Sequence, residues 1–484
     1  MEKKSNSLLL KLAFILLAIC LLIVYLIYCF VLPQTPARIT RPSASLISNF
    51  PPWSWIISLA LPVPNSSSSV AVMLIISTVI AFAIYGLAIL LSRKLRSHSG
   101  MLTLVLIPSC AFFLISTFAL PNLNTDIFNY MLRGRLAAVY NLNPYRVAAD
   151  EISNDPVYPY ASHGYTAVAE WWKLPLWTSI EIGLAKLTGA DIVRNLLIFR
   201  FAFLIVNLFN LLIIAVIINK INPRNLIPGL VLYAWNPVIV ILGQSKSDTF
   251  IVFFLLLSIL LILFGRRNLA IIPLTLSVLI KMTTLPFLAA YLLMNLNRKK
   301  WKDYIVLGIL IIVTAAVFYI LFDMADFITT QLIGIIGMSG GNAPDFIRII
   351  MRVGFVVLIF IVGITRSGEL KQMIWGWVIL AVYFSLFLID YGKAWYLIPL
   401  IALSSLIPDW RTISLTYFIS FSGFLIYNWD SVFSKEFAAP ILTSMPGYII
   451  NIVPILIGVF GFGAAYLWKK LRPKKSRQTV DVAR

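Results

Sequence analysis

The feature that most constrains this chain is a recurring one: apolar runs of about 17–25 residues, each long enough to span a bilayer, interrupted by short clusters of charge. A soluble protein of 484 residues, 60% of them hydrophobic, could not hide so much apolar surface. A mean hydropathy of +0.92 agrees. The pattern predicts an all-α polytopic membrane protein, because a helix satisfies its own backbone polar groups in lipid. The net charge of +20 raises the question of nucleic acid. Most of the cationic clusters lie at helix ends, however, where the positive-inside rule explains them, so membrane lipids are the expected partners and nucleic acid is not. Cys20, Cys29 and Cys110 sit in apolar runs without C-x-x-C spacing or a nearby histidine. They imply neither a zinc site nor a disulfide framework.

Charge also orients the spans. Leu8 to Leu32 follows Lys3 and Lys4, lacks a small-x-small cleavage site, and reads as a retained helix with a cytoplasmic N-terminus. Val70 to Leu91 returns to the cationic Arg93-Lys-Leu-Arg96, and Met101 to Leu120 goes out again. The stretch 121–194 is therefore external. It is too polar to span, and its amphipathic pieces Phe128 to Tyr140 and Pro175 to Leu187 are expected to lie in the interface plane. Leu196 to Ile218, Leu226 to Leu242 and Thr249 to Phe264 then cross in turn. Leu269 to Leu293 is harder to place. Arg266-Arg267 precedes it, Arg298-Lys299-Lys300 follows it, Lys281 stands at its middle, and Pro273 and Pro286 lie near its ends. Two half-length helices that begin and end on the cytoplasmic side reconcile these charges. One crossing that breaks the charge rule is the alternative. Beyond Tyr304 the same logic, including a Gly-rich external loop at Met338-Ser-Gly-Gly-Asn342, leads to a last span at Tyr448 to Leu467. The expected whole is one domain, 1–468, of about twelve crossings plus the re-entrant pair and interfacial helices, with a basic cytoplasmic tail at 469–484, in the plasma membrane with both termini inside.

Chemistry concentrates at Asn124-Thr-Asp-Ile-Phe-Asn-Tyr-Met-Leu-Arg-Gly-Arg135, just past an apolar run. Asp126, Tyr130 and Arg133 stand at i, i+4 and i+7, which places them on one helix face. Asp126 reads either as a helix cap or as the base of an active site at the outer membrane surface. Arg133 and Arg135, on the same helix, read either as ligands of lipid headgroups, the reading that leads for Arg135, or as a phosphate clamp, since guanidinium matches phosphate oxygens. Asn143-Pro-Tyr145 is a helix stop or a rigid cleft wall, with Asn143 and Tyr145 as substrate contacts. His163, among Tyr158, Tyr160 and Tyr165, is a surface histidine or a sugar or phosphate ligand. Trp171, Trp172 and Trp177 read as aromatic-belt residues. Lys246 and Asp248 occupy the short turn Gly243-Gln-Ser-Lys-Ser-Asp248 as a helix cap or as site groups. Lys281, alone in a long apolar stretch, should face a wet or anionic cavity. Lys393-Ala-Trp-Tyr396 supplies an interfacial anchor or further site groups in Lys393, Trp395 and Tyr396.

Taken in order, Asp126-Ile-Phe-Asn-Tyr130, Asn141-Leu-Asn-Pro-Tyr145, Lys173-Leu-Pro-Leu-Trp177, Trp235-Asn-Pro237, Lys246-Ser-Asp248, Lys281-Met-Thr283 and Trp395-Tyr-Leu397 give the chain a family look. It resembles the GT-C superfamily of membrane glycosyltransferases, and more narrowly the polyprenyl-phosphate-mannose-dependent α-mannosyltransferases of the α-(1→6)-mannopyranosyltransferase type. Lys246 and Ser247 stand where that family's turn carries His and Asn. The resemblance implies a GT-C-like bundle and an inverting transfer of a hexose, mannose by analogy, from a polyprenyl-phosphate sugar to a glycan or lipid-linked acceptor. Asp126 would be the general base. Arg133, Lys281, Lys246 and Lys393 would hold the donor phosphate, with Tyr130, Asn143, Tyr145, His163, Asp248, Trp395 and Tyr396 around the substrates. The sequence implies no cofactor and no metal ligand set, and leaves a divalent metal requirement open. The rival readings are a transporter or flippase of lipid-linked saccharides, which predicts paired broken helices in both halves, and a non-catalytic scaffold.

Overall fold

In the computed structural model, the described residues are 2–34, 46, 48–59, 67–95, 100–120, 126–161, 174–189, 191–296, 301–322, 345–366, 369–388, 393–436 and positions 456, 460, 461, 463 and 464. Among them every regular element is helical. Four stretches, Leu8–Gln34, Val72–Leu95, Ile192–Ile221 and Leu370–Leu388, are long and apolar enough to cross a membrane, and shorter apolar helices accompany them. Most of the expected last span, most of the external loop around Met338, the basic tail and His163 lie outside the described residues.

One flank packs α1 (Glu2–Leu26) and α17 (Trp410–Glu436) against α3 (Ser67–Leu95), with the short α2 (Pro51–Ser58) between α1 and α3 in sequence. The stripe Leu8, Leu12, Ile15, Ile19 and Ile23 of α1 faces outward, while Phe14, Leu21 and Tyr25 face the core. An outward apolar stripe on a helix of this length suits lipid rather than water. Inside, polar side chains join helices: Asn428 donates to Thr78 (2.9 Å) and Tyr28 (3.1 Å), and Asn236 donates to Tyr85 (3.1 Å) and Ser420 (3.2 Å). Such bonds act as glue where no hydrophobic drive separates helix from lipid.

The centre of the molecule is built from α4 (Met101–Thr117), α5 (Asp126–Ala138), α6 (Pro175–Lys186) and the long α7 (Ile192–Ile221), followed by α8 (Leu226–Ala234), α9 (Pro237–Leu242), α10 (Asp248–Leu263), α11 (Ile271–Ile280) and α12 (Leu285–Leu296). Farther on come α13 (Trp301–Phe322), α14 (Asp345–Thr365), α15 (Leu370–Tyr383) and α16 (Ile398–Leu406). The single crossing expected at Leu226 to Leu242 is instead two helices. Pro237 has no N–H to continue α8, and the Asn236 side chain accepts from Val238 N (2.9 Å), starting α9 afresh.

The stretch 269–293 folds as a helical hairpin. Helix α11 stops at Ile280, Lys281 is extended, and Met282–Thr284 makes one 3-10 turn before α12. Pro286 stands in the first turn of α12, where its missing N–H leaves no helical hydrogen bond unmade. The Tyr291 hydroxyl donates to the Arg267 carbonyl (2.9 Å), so the end of α12 lies beside the start of α11. That geometry favours the paired half-helices over a single crossing.

Helix α5 departs from expectation. It does not lie with one face in an interface: every residue from Ile127 to Leu136 is buried. Helices α6 and α7 and the short turns at 149–152 and 158–160 enclose it. A side chain at Gly134 would collide with the Glu181 backbone, and its absence lets α5 and α6 close tightly.

Candidate functional site

The site is assembled from four places distant in sequence. Asp126 is the first residue of α5, where a carboxylate favours the helix N-terminus. Lys246, Ser247 and Asp248 come from the turn between α9 and α10, with Asp248 in the first turn of α10. Lys281 is the tip of the α11–α12 hairpin. Trp395 and Tyr396 lie in the 3-10 turn Ala394–Leu397 ahead of α16.

These residues interlock as two parallel sets. The Lys246 ammonium is bonded to the Asp126 carboxylate and stands 3.7 Å from the centre of the Trp395 ring. The Lys281 ammonium reaches both Asp248 oxygens at 3.1 and 3.3 Å and stands 4.1 Å from the centre of the Tyr396 ring. Each lysine is thus held between a carboxylate and an aromatic face, an arrangement that gains from exclusion of water. The sets share neighbours: Lys246 also feels Asp248 and Lys281. Tyr130 closes the group from α5. Its hydroxyl bonds Ser247, its ring packs edge-on against Trp177 at 5.0 Å, and burial, then Asp126 and Asp248, push its pKa far up. Burial lowers the Lys246 pKa, opposed by Asp126 and Asp248 and aided by Lys281.

Access is uneven. The Lys246, Lys281 and Asp248 side chains are 3%, 8% and 2% exposed, whereas Asp126 is 25% exposed. Asp126 forms the mouth of the cluster and the rest its floor. Gln244, buried in the same turn as Lys246, has neither amide atom hydrogen-bonded, and the Thr283 hydroxyl near Lys281 is likewise buried without a partner. Buried polar atoms left unpaired carry a cost that a ligand's hydroxyls would relieve.

Several expectations change. Arg133 shares α5 with Asp126 but is turned into a two-pronged pair with Glu181 of α6 (2.7 and 3.1 Å). A buried carboxylate neutralises it, and the pair ties α5 to α6. Arg135 binds no headgroup: it is buried, with Nε on Asp155 (2.8 and 3.1 Å) and a guanidinium N–H on the Gly189 carbonyl (2.6 Å). Asn143 forms its own turn by accepting from Tyr145 N (2.9 Å), and the Tyr145 hydroxyl pairs with Thr178 (2.7 Å) beside Arg133 and Glu181. Lys393 is exposed and adds no third cation to the floor. Trp177 is fully buried against Tyr130, Phe203 and Phe250 and belongs to the core, not to an aromatic belt; Trp171 and Trp172 lie outside the described residues. The sequence reading overlooked Glu181, Asp155 and Arg200. Glu181 and Arg200 are ionisable groups inside apolar helices, the same signal that singled out Lys281, whereas Asp155 lies in the polar loop between the turns at 149–152 and 158–160 and carries no such mark. Arg200 donates to the carbonyls of Thr117 (3.3 Å), Ala119 and Leu120 (3.4 Å) at the end of α4.

No group of metal-ligating side chains occurs among the described residues. The arrangement offers a partly open carboxylate for a proton, two buried ammonium groups for an anion and aromatic faces beside them. Comparison with protein-family models, curated proteins and solved structures gives no match. The described residues form a helical, membrane-type protein that carries a charge-balanced cluster of Asp126, Lys246, Asp248 and Lys281.

Proposed function

We propose that the chain is an inverting glycosyltransferase of the outer membrane face, moving a hexose from a polyprenyl-phosphate sugar to a glycan or lipid-linked acceptor. The observation that carries this reading is the meeting of Asp126, Lys246, Asp248, Lys281, Trp395 and Tyr396, from four separate segments, in one buried cluster with a single open carboxylate. Burying two lysines and the Asp248 carboxylate beside a half-buried Asp126 costs more than apolar packing of the same volume, which favours a functional reason for the cluster. The acceptor hydroxyl gives its proton to Asp126 as its oxygen bonds the anomeric carbon. The bond from that carbon to the phosphate oxygen breaks, and the electron pair leaves with the phosphate toward Lys246 and Lys281. A lipid phosphate is a good leaving group, so no general acid is required. Trp395 and Tyr396 flank the sugar, and the prenyl chain runs along the apolar helices.

Asp126→Asn is expected to abolish sugar transfer in membranes supplied with polyprenyl-phosphate sugars, with protein level and fold unchanged. Full transfer by that variant would sink the assignment. Substituting Lys281 by Met is expected to raise the donor KM or lower kcat.

A second reading, a flippase of lipid-linked saccharides, is favoured by the two interrupted segments α8–α9 and α11–α12. Purified protein in vesicles separates the two: transfer makes a new glycosidic bond, whereas flipping moves an unaltered lipid between leaflets.

A further inference from the structure

The two lysine sets look alike but are not equivalent. Lys281 is locked: it contacts both oxygens of Asp248, and neither side chain is more than 8% exposed. Lys246 is bonded to a carboxylate at the open mouth, with its ammonium against the face of Trp395. A carboxylate bonded to an ammonium is a poor proton acceptor, because the charged form is already stabilised. The group proposed as base is thus occupied when no donor is present.

We propose that Lys246 is a latch on Asp126, and that the donor phosphate releases the base by drawing Lys246 onto itself. The proposal rests on the transfer reading above. The incoming phosphodiester competes with Asp126 for one ammonium group, and charge-assisted bonds to phosphate are at least as strong as those to a carboxylate. Trp395 keeps the ammonium in place during the exchange, since a cation over a ring face tolerates sideways movement. Lys281 stays on Asp248 and anchors the floor.

The charges close. Asp126, Asp248, Lys246 and Lys281 sum to zero before binding, and the phosphodiester brings one negative charge. When Asp126 accepts the hydroxyl proton, the four side chains carry one net positive charge and face a phosphate monoester of two negative charges. The total is unchanged. Phosphate binding and base activation are therefore one event, which protects the donor from water until it is seated with Lys246.

The test is a four-cornered binding cycle with a short prenyl phosphate, farnesyl phosphate, on the purified full-length protein. The corners are the wild type, Asp126→Asn, Lys246→Met and the double variant. Removing the competing carboxylate is expected to tighten farnesyl phosphate binding about five- to tenfold, the lower end of the ordinary range for coupling between two ligands of one group. Lys246→Met is expected to weaken binding, and adding Asp126→Asn to it should give no further gain. A gain that survives in the Lys246→Met background is general repulsion and overturns the latch, as does no gain at all in Asp126→Asn. Asp126→Ser replaces Asn if the first variant does not fold. If the wild type transfers sugar while the cycle is additive, the latch alone fails. If the wild type neither binds farnesyl phosphate nor transfers sugar, the transfer reading fails and takes the latch with it.

Discussion

Lys246 carries two burdens: a charge kept out of water and a partner at the mouth of the cluster. Burial lowers its pKa below the usual lysine value, against the opposing pull of Asp126 and Asp248. In the proposed transfer the charged form grips the donor phosphate, so that grip would be lost as pH rises through the lowered value. The alkaline limb of kcat/KM for the free enzyme should therefore fall below the ordinary lysine range. Lys246→Arg should move that limb to higher pH, because guanidinium keeps its charge. A limb unmoved by Arg would assign it to another group. Arg133 and Glu181 make a second residue-scale case. Glu181 is fully buried, so Glu181→Gln removes the carboxylate that pairs with the Arg133 charge. The expected loss is about 3–5 kcal/mol, read as a lowered midpoint of unfolding in detergent. Replacing both by apolar residues, as in Arg133→Met with Glu181→Leu, should recover most of it. The Asp126→Asn and Lys281→Met outcomes proposed above belong to this scale as well.

The α11–α12 hairpin decides where the cluster forms. Helix α10, with 16 residues, carries Asp248 about 24 Å from its other end at 1.5 Å per residue. Helix α11 runs antiparallel beside it, tied by the Ser258 hydroxyl on the Ala270 carbonyl (2.8 Å), and so lifts Lys281 to the level of Asp248. Helix α12 returns to Arg267 through Tyr291. Cysteines placed at Asn268 and just past the end of α12 at Asn297 should therefore be labelled from the same side of a sealed membrane. Labelling from opposite sides would mean a single crossing and would remove Lys281 from its place at the tip. This element was half legible in the sequence: paired cationic flanks, a central lysine and Pro286 all pointed to a break. Helix α5 was legible in position but not in burial. Its pattern suggested an interface helix because Gly134, which admits α6, leaves no hydrophobic mark.

At the scale of the whole molecule, the sequence by itself determined the class of fold and the segments that supply the charged cluster. Apolar length and charge placement follow from the cost of putting backbone and ions into lipid, a cost paid residue by residue along the chain. Asp126, Lys246, Asp248, Lys281, Trp395 and Tyr396 were visible for the same reason: ionisable and amphipathic groups stand out against an apolar background. Which carboxylate meets which cation was settled only by the tertiary structure. Helical spacing put Arg133 on the face of Asp126, yet the close approach of α6 gave it Glu181 and left Asp126 to Lys246 from 120 positions away. Pairing of this kind depends on distances between helices, and a linear pattern of residues contains no such distances.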